Sequence, residues 1–129
     1  MVSRIRATKI ANRIHKELSE ILIFEVSDPR LVNVSITKIR VDRELAYANI
    51  YVSSHEGADK REEIISGLEH AKGYLRSQLA RRIQLRTFPH LRFYWDPSPD
   101  HADRIEQLIE SLHQEEKSPD AKKNESSDE

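Results

Sequence analysis

Between Ile5 and Val26 the apolar residues Ile10, Ile14, Leu18, Ile21 and Leu22 recur at helical spacing, which predicts an amphipathic helix with one buried stripe. Asp28-Pro29 should end it, because proline disfavours the helical conformation of the residue before it and carries no backbone donor. The pattern then changes from a period near four to a period of two. Asn33 to Asp42 and Leu45 to Ser54 read as two strands joined by a tight turn at Arg43-Glu44. In the first strand Val34 and Ile36 lie one residue out of phase with Ile39 and Val41, so a β-bulge is expected near Lys38. The second strand places Ala46, Ala48, Ile50 and Val52 on one face, with Tyr47, Asn49, Tyr51 and Ser53 on the other.

From about Asp59 a second helical pattern runs through Ile64, Leu68, Ala71, Leu75, Leu79 and Ile83. A straight helix of about 24 residues would be about 36 Å long, and each interior glycine costs about 1 kcal/mol against alanine. An unbroken helix would also carry Arg82 into the apolar stripe. An interruption is therefore expected at Gly73, in preference to Gly67. After Pro89 a third strand, Leu91 to Asp96, alternates Leu91, Phe93 and Trp95 with Arg92 and Tyr94. Ile105, Leu108, Ile109 and Leu112 suggest a short C-terminal helix, and the nearly apolar-free stretch from Gln114 reads as disordered. These elements predict one α+β domain over residues 1–113, a three-stranded sheet packed on helices, and an acidic tail over 114–129.

Composition narrows the chemistry. Charged residues make up 33% of the 129, above the roughly 25% usual for globular domains. Without cysteine there are no disulfides, thiolate zinc sites or cysteine nucleophiles, which fits a reducing, cytoplasmic location. No apolar run is long enough to span a bilayer. The basic first 16 residues resemble a transit peptide only superficially, because their apolar stripe continues into Leu18, Ile21 and Leu22. The formal charge of −1 conceals segregation: the last 16 residues hold six acids and three lysines, whereas two earlier blocks are purely basic.

The first block is Arg4, Arg6, Lys9, Arg13 and Lys16. Lys9, Arg13 and Lys16 share a helix face opposite the apolar stripe and are candidates for phosphate contact, with Arg4 and Arg6 assisting. The ordinary alternative is a solvated face partly neutralised by Glu17 and Glu20. The second block, Lys72, Arg76, Arg81, Arg82, Arg86 and Arg92, contains no acid and would attract a polyanion. Its ordinary alternative is the stabilisation of cations at a helix C-terminus. Charge reversal at Arg76 and Arg81 is expected to weaken binding while leaving thermal stability nearly unchanged. Tyr47, Tyr51, Tyr94 and Trp95 suggest base stacking, although Trp95 shares a face with Leu91 and Phe93 and packing is the simpler fate for it. Six scattered histidines lack metal-ligand spacing, and no nucleotide-binding loop or nucleophile elbow is present, so neither metal, cofactor nor catalysis is expected.

Helix, strand, strand, interrupted helix, strand is the order of a type II K-homology domain, but Ala71-Lys72-Gly73 stands where such domains carry their GxxG loop. With Asp28-Pro29-Arg30-Leu31, Ala48-Asn49-Ile50-Tyr51-Val52-Ser53, Gly73-Tyr74-Leu75-Arg76, and then Arg86, Pro89, Leu91, Phe93 and Asp96, the chain resembles the ribosome-binding factor A family over about residues 4–112. Asp42 and Glu44 depart from the serine and aspartate usual in that family's hairpin. The resemblance implies a helix kink at Ala71 and Gly73. It further implies a non-catalytic, monomeric assembly factor that binds the immature small (30S) subunit and assists late 16S rRNA maturation, including the 5′ end. Importance at low temperature and an assembly GTPase as a further partner are implied as well. Two other readings stand beside it: a generic single-stranded RNA binder of K-homology type, and a protein-only adaptor using its hairpin edge or third helix. Salt separates them, because RNA binding weakens steeply with ionic strength and an apolar protein interface does not.

Overall fold

Ser3 starts the first helix in the computed structural model, which describes residues 1–99, 106 and 108–112. Its side chain accepts from the Arg6 N–H at 3.1 Å, satisfying one of the donors that a helix start leaves free. The helix, α1, spans Arg4–Phe24 and buries Ile14, Leu18 and Ile21 completely. It stops short of Asp28, whose extended backbone leads into a single 3-10 turn, Pro29–Leu31. The Arg30 side chain and its backbone N–H both donate to the Asp28 carboxylate and hold its pKa below the ordinary value.

Strands β1 (Val34–Val41) and β2 (Tyr47–Ser54) form the antiparallel hairpin. The expected bulge is there, with Thr37 as the extra residue between Ile36 and Lys38. Thr37 Oγ1 donates to Asp96 Oδ2 at 2.5 Å and lies 3.2 Å from the Tyr51 carbonyl, so the inserted residue is tied to β2 and to the residue that follows Trp95. In the connecting turn the Leu45 N–H reaches the Asp42 carbonyl at 2.9 Å, and Leu45 takes a φ of 57°. Asp42 Oδ1 accepts from the N–H groups of Ala46 and Tyr47, which offsets part of the strain of that left-handed residue.

After a 3-10 turn, Ala58–Lys60, helix α2 spans Arg61–Arg82. It runs without a break through Ala71, Lys72 and Gly73, which corrects the interruption expected at Gly73. Two physical reasons account for the difference. Ile64 and Leu68 before the glycine, and Leu75 and Leu79 after it, are all buried in one core, and their burial outweighs a cost of about 1 kcal/mol. Arg82, carried toward the apolar stripe as anticipated, meets carboxylates there instead of hydrocarbon: Glu17 of α1 at 3.7 Å and Glu25, which caps that helix, in close contact. The element order is thus α-β-β-α-β.

The two glycines of α2 differ in kind. A Cβ on Gly67 would lie 3.1 Å from Leu31 Cδ2 and 3.3 Å from Arg30 Nε, so this glycine lets the Pro29–Leu31 turn approach the helix. A Cβ on Gly73 would meet no atom of the described residues within 4 Å beyond its own stretch of helix. Gly73→Ala is therefore expected to stabilise the fold by about 1 kcal/mol, raising the melting temperature by about 4–8 °C in a calorimetric scan. A fall would show that this position needs glycine.

β3 (His90–Trp95) pairs parallel with β2, giving a sheet of order β1-β2-β3 with α2 as the crossover. Register places Val41, Ala48 and Leu91 in one row and Ile39, Ile50 and Phe93 in the next, all on the face that packs against the helices. Trp95 packs at the margin of this core, as its alternation with Tyr94 predicts. The result is the α+β, K-homology-like arrangement expected. No described helix is long and apolar enough to cross a membrane. Residues 1–96 form one unit; in the second, Glu106 and residues 108–112 are helical. The boundary expected between 113 and 114, and the acidic tail, lie outside the described residues.

Candidate nucleic-acid interface

Arg6, Lys9 and Arg13 follow one another along α1 at three and four residues, the spacing that aligns side chains on a helix. Packing of α2 against α1 brings the end of α2 beside them. There Arg81 and Arg82 form the last turn, and Ile83 turns the chain into extended backbone. Together these segments line an open groove of about 640 Å³ whose walls include Arg6, Lys9, Arg13, Arg81, Arg82 and Gln84 and, among the described residues, no acid.

Two of its cations hold the groove together. Arg13 Nη2 donates to the Arg82 carbonyl at 3.0 Å, satisfying one of the acceptors that a helix end leaves free, while its Nε pairs with Glu17 at 3.3 Å. Arg82 donates to Glu25, and that hydrogen bond, more than the neighbouring charges of Glu25 and Glu17, raises its pKa above the ordinary value. Arg6, Lys9 and Arg81 are exposed, with no side-chain ion pair or hydrogen bond among the described residues. Free cations over a wall fixed by others make a docking surface for phosphates, since affinity comes from releasing counterions rather than from breaking existing pairs.

The remaining candidates are dispersed. Arg86 shares with Arg6 an adjoining hollow of about 610 Å³, which also includes Glu44. Arg4 lines a third, of about 600 Å³, beside Arg40 and Arg43. Lys16 is exposed on α1 but lines none of these. Lys72 pairs with Glu69 at 2.6 Å. Arg76 turns inward, donating through Nη2 to the Phe88 carbonyl at 2.5 Å and through Nε to the Pro89 carbonyl at 3.1 Å. Its charge reversal therefore cannot leave stability unchanged, contrary to the expectation from charge alone. Ala71 is half-buried within the continuous helix and Gly73 is exposed.

Gln84, Arg40 and Arg43 escaped the sequence reading. Arg40 and Arg43 are interrupted by Asp42 and so form no charge run, although strand alternation puts Arg40 on the exposed side. Gln84 carries no signal of its own.

The family model described as ribosome-binding factor A matches residues 6–109. Over 106 residues the chain is 39% identical to the ribosome-binding factor A of Thiobacillus denitrificans, covering 82% of this chain and 86% of the relative. It is 42% identical to that of Methylobacillus flagellatus over 106 residues, 81% and 82% of the two chains. Its structure superposes on the solution structure of a Thermotoga maritima protein bearing the same family name with a TM-score of 0.63, at 30% identity, over 73% of this chain and 90% of that one. A homology model of the Thermus thermophilus ribosome-binding factor A, fitted into an electron cryo-microscopy map of its 30S complex, matches in fold with a TM-score of 0.59 at 24% identity, over 70% of this chain and 96% of that one. The family model and these relatives span most of the chain, and the chain belongs to the ribosome-binding factor A family.

Proposed function

We propose that this chain binds the immature small ribosomal subunit and assists late maturation of its 16S rRNA, including the 5′ end. The observation that carries the reading is the groove in which Arg6 and Lys9, near the start of the chain, meet Arg81 with no acid among the described residues lining the walls. The Thermus thermophilus relative fitted into a 30S map supports the choice of partner. The chemistry is binding. A factor of this kind biases rRNA folding only through higher affinity for the immature arrangement, since equal affinity for both forms would shift nothing. Its release is the step at which an assembly GTPase would act, and its contribution would be largest at low temperature.

Sedimentation of cell lysate through a sucrose gradient tests the reading. The protein should travel with free small subunits and be absent from translating ribosomes. Binding of the purified protein to those subunits should also weaken steeply between about 50 and 200 mM salt. A protein found equally on translating ribosomes would overturn the maturation role. Salt-insensitive binding would favour a protein-only adaptor.

A further inference from the structure

The sheet has a second face, opposite the buried core, that the groove does not use; only at Arg40 and Asn49 does it border a hollow shared with α1. Register places three cross-strand rows there: Tyr47 beside His90; Arg40, Asn49 and Arg92; and Lys38, Tyr51 and Tyr94. Arg92 stacks over the Tyr47 ring at 3.6 Å, Lys38 Nζ sits 4.6 Å from the Tyr51 centroid, and Tyr51 and Tyr94 stack at 5.4 Å. Tyr47 and Tyr94 are each 40% exposed, more than a ring spent on packing would be.

Charge on this face is segregated. None of its paired positions is acidic, although the chain has 22 acids for 21 lysines and arginines. The acids at its border are engaged: Asp96 accepts from Thr37, and Asp42 from the turn backbone. A face needing only solubility would intersperse the two signs, because like charges side by side destabilise a sheet. Asn49, at the centre, has a buried Oδ1 without a hydrogen-bond partner among the described residues.

We infer that this outer sheet face binds unpaired RNA, with Tyr47, Tyr51 and Tyr94 stacking on bases while Lys38, Arg40 and Arg92 track the phosphates. Stacking is sequence-tolerant, since every base has a π-face, and cations between the rings follow the backbone. Tyr47 and Tyr51 lie four residues apart on one strand, roughly 13 Å, leaving room for bases between them. Trp95, on the inner face, takes no part. The inference shares with the proposed function only the premise that the chain meets RNA, and adds a second surface specific for single strands.

Fluorescence anisotropy of the full-length protein tests it, using a labelled oligoadenylate of about ten nucleotides and an RNA duplex of equal length. Tyr51→Leu and Tyr94→Leu should each weaken single-strand binding on the order of ten-fold, with the salt slope and the duplex affinity unchanged. Tyr51→Phe and Tyr94→Phe should bind as wild type. Lys38→Gln and Arg40→Gln keep the rings and should each lower the single-strand salt slope by about one, which decides the matter even if the leucine variants fail to fold. Wild-type single-strand affinity in the folded leucine variants, or an unmoved slope in the glutamine variants, would overturn the inference and leave this face to an acidic protein. Because the probe is a short oligonucleotide, failure to sediment with small subunits would refute the proposed function without touching this result.

Discussion

Reversing Lys9 and Arg81 together, Lys9→Glu with Arg81→Glu, is expected to weaken binding to purified small subunits on the order of a hundred-fold at moderate salt. The two residues reach the groove from α1 and from the last turn of α2, so the double variant attacks both walls. Each substitution removes one counterion-releasing contact and sets a carboxylate against phosphate, which multiplies the loss. Stability should fall by only about 1 kcal/mol, the cost of an acid in the last turn of α2, because both side chains are exposed and neither has an ion pair among the described residues. A filter-binding titration across salt should show the logarithmic slope falling by about two, one for each lost contact. Lys16→Glu is the informative companion. It lies on the same helix with the same charge but does not line the groove, and it should bind nearly as wild type. Equal losses from all three positions would mean that RNA runs around α1 instead of along the groove.

What could be read from the sequence was whatever depends on neighbours in the chain. The stripe of Ile14, Leu18 and Ile21, the phase slip marking the bulge at Thr37, and the alternation that puts Trp95 on the core side with Phe93 are all local patterns. The continuity of α2 was not local. Gly73 and the inward-projecting Arg82 argued for a break, yet the partners that accommodate Arg82 are Glu17 on α1 and Glu25 at its C-cap. The same distinction governs the basic blocks. Their meeting at one groove follows from α1 lying beside the end of α2. Which cations remain available depends on carbonyls and carboxylates supplied from elsewhere: Arg13 caps α2, Lys72 is taken by Glu69, and Arg76 is held by the segment leading into β3. A run of positive charge thus contains two populations, one holding the domain together and one facing solvent, and only tertiary contacts separate them.

Arg76 offers the sharpest test of that division. Its guanidinium joins α2 to the carbonyls of Phe88 and Pro89, immediately before β3, and both of those residues are buried. Arg76→Met keeps much of the aliphatic stem but removes both donors, leaving two carbonyls without that partner. Hydrogen bonds to charged groups contribute roughly 1.5–3 kcal/mol, so a loss in that range is expected, equivalent to a drop on the order of 10 °C in melting temperature. Circular dichroism through the thermal transition measures it directly. Arg76→Lys should recover only part of the loss, since an ammonium lacks the planar fork that reaches two carbonyls at once. Below its transition the methionine variant should bind small subunits nearly as well as wild type, because the groove is built from other side chains. The opposite pair of results, an unchanged melting curve with weakened binding, would return Arg76 to the RNA-facing population and show that its contacts to Phe88 and Pro89 are dispensable to the fold.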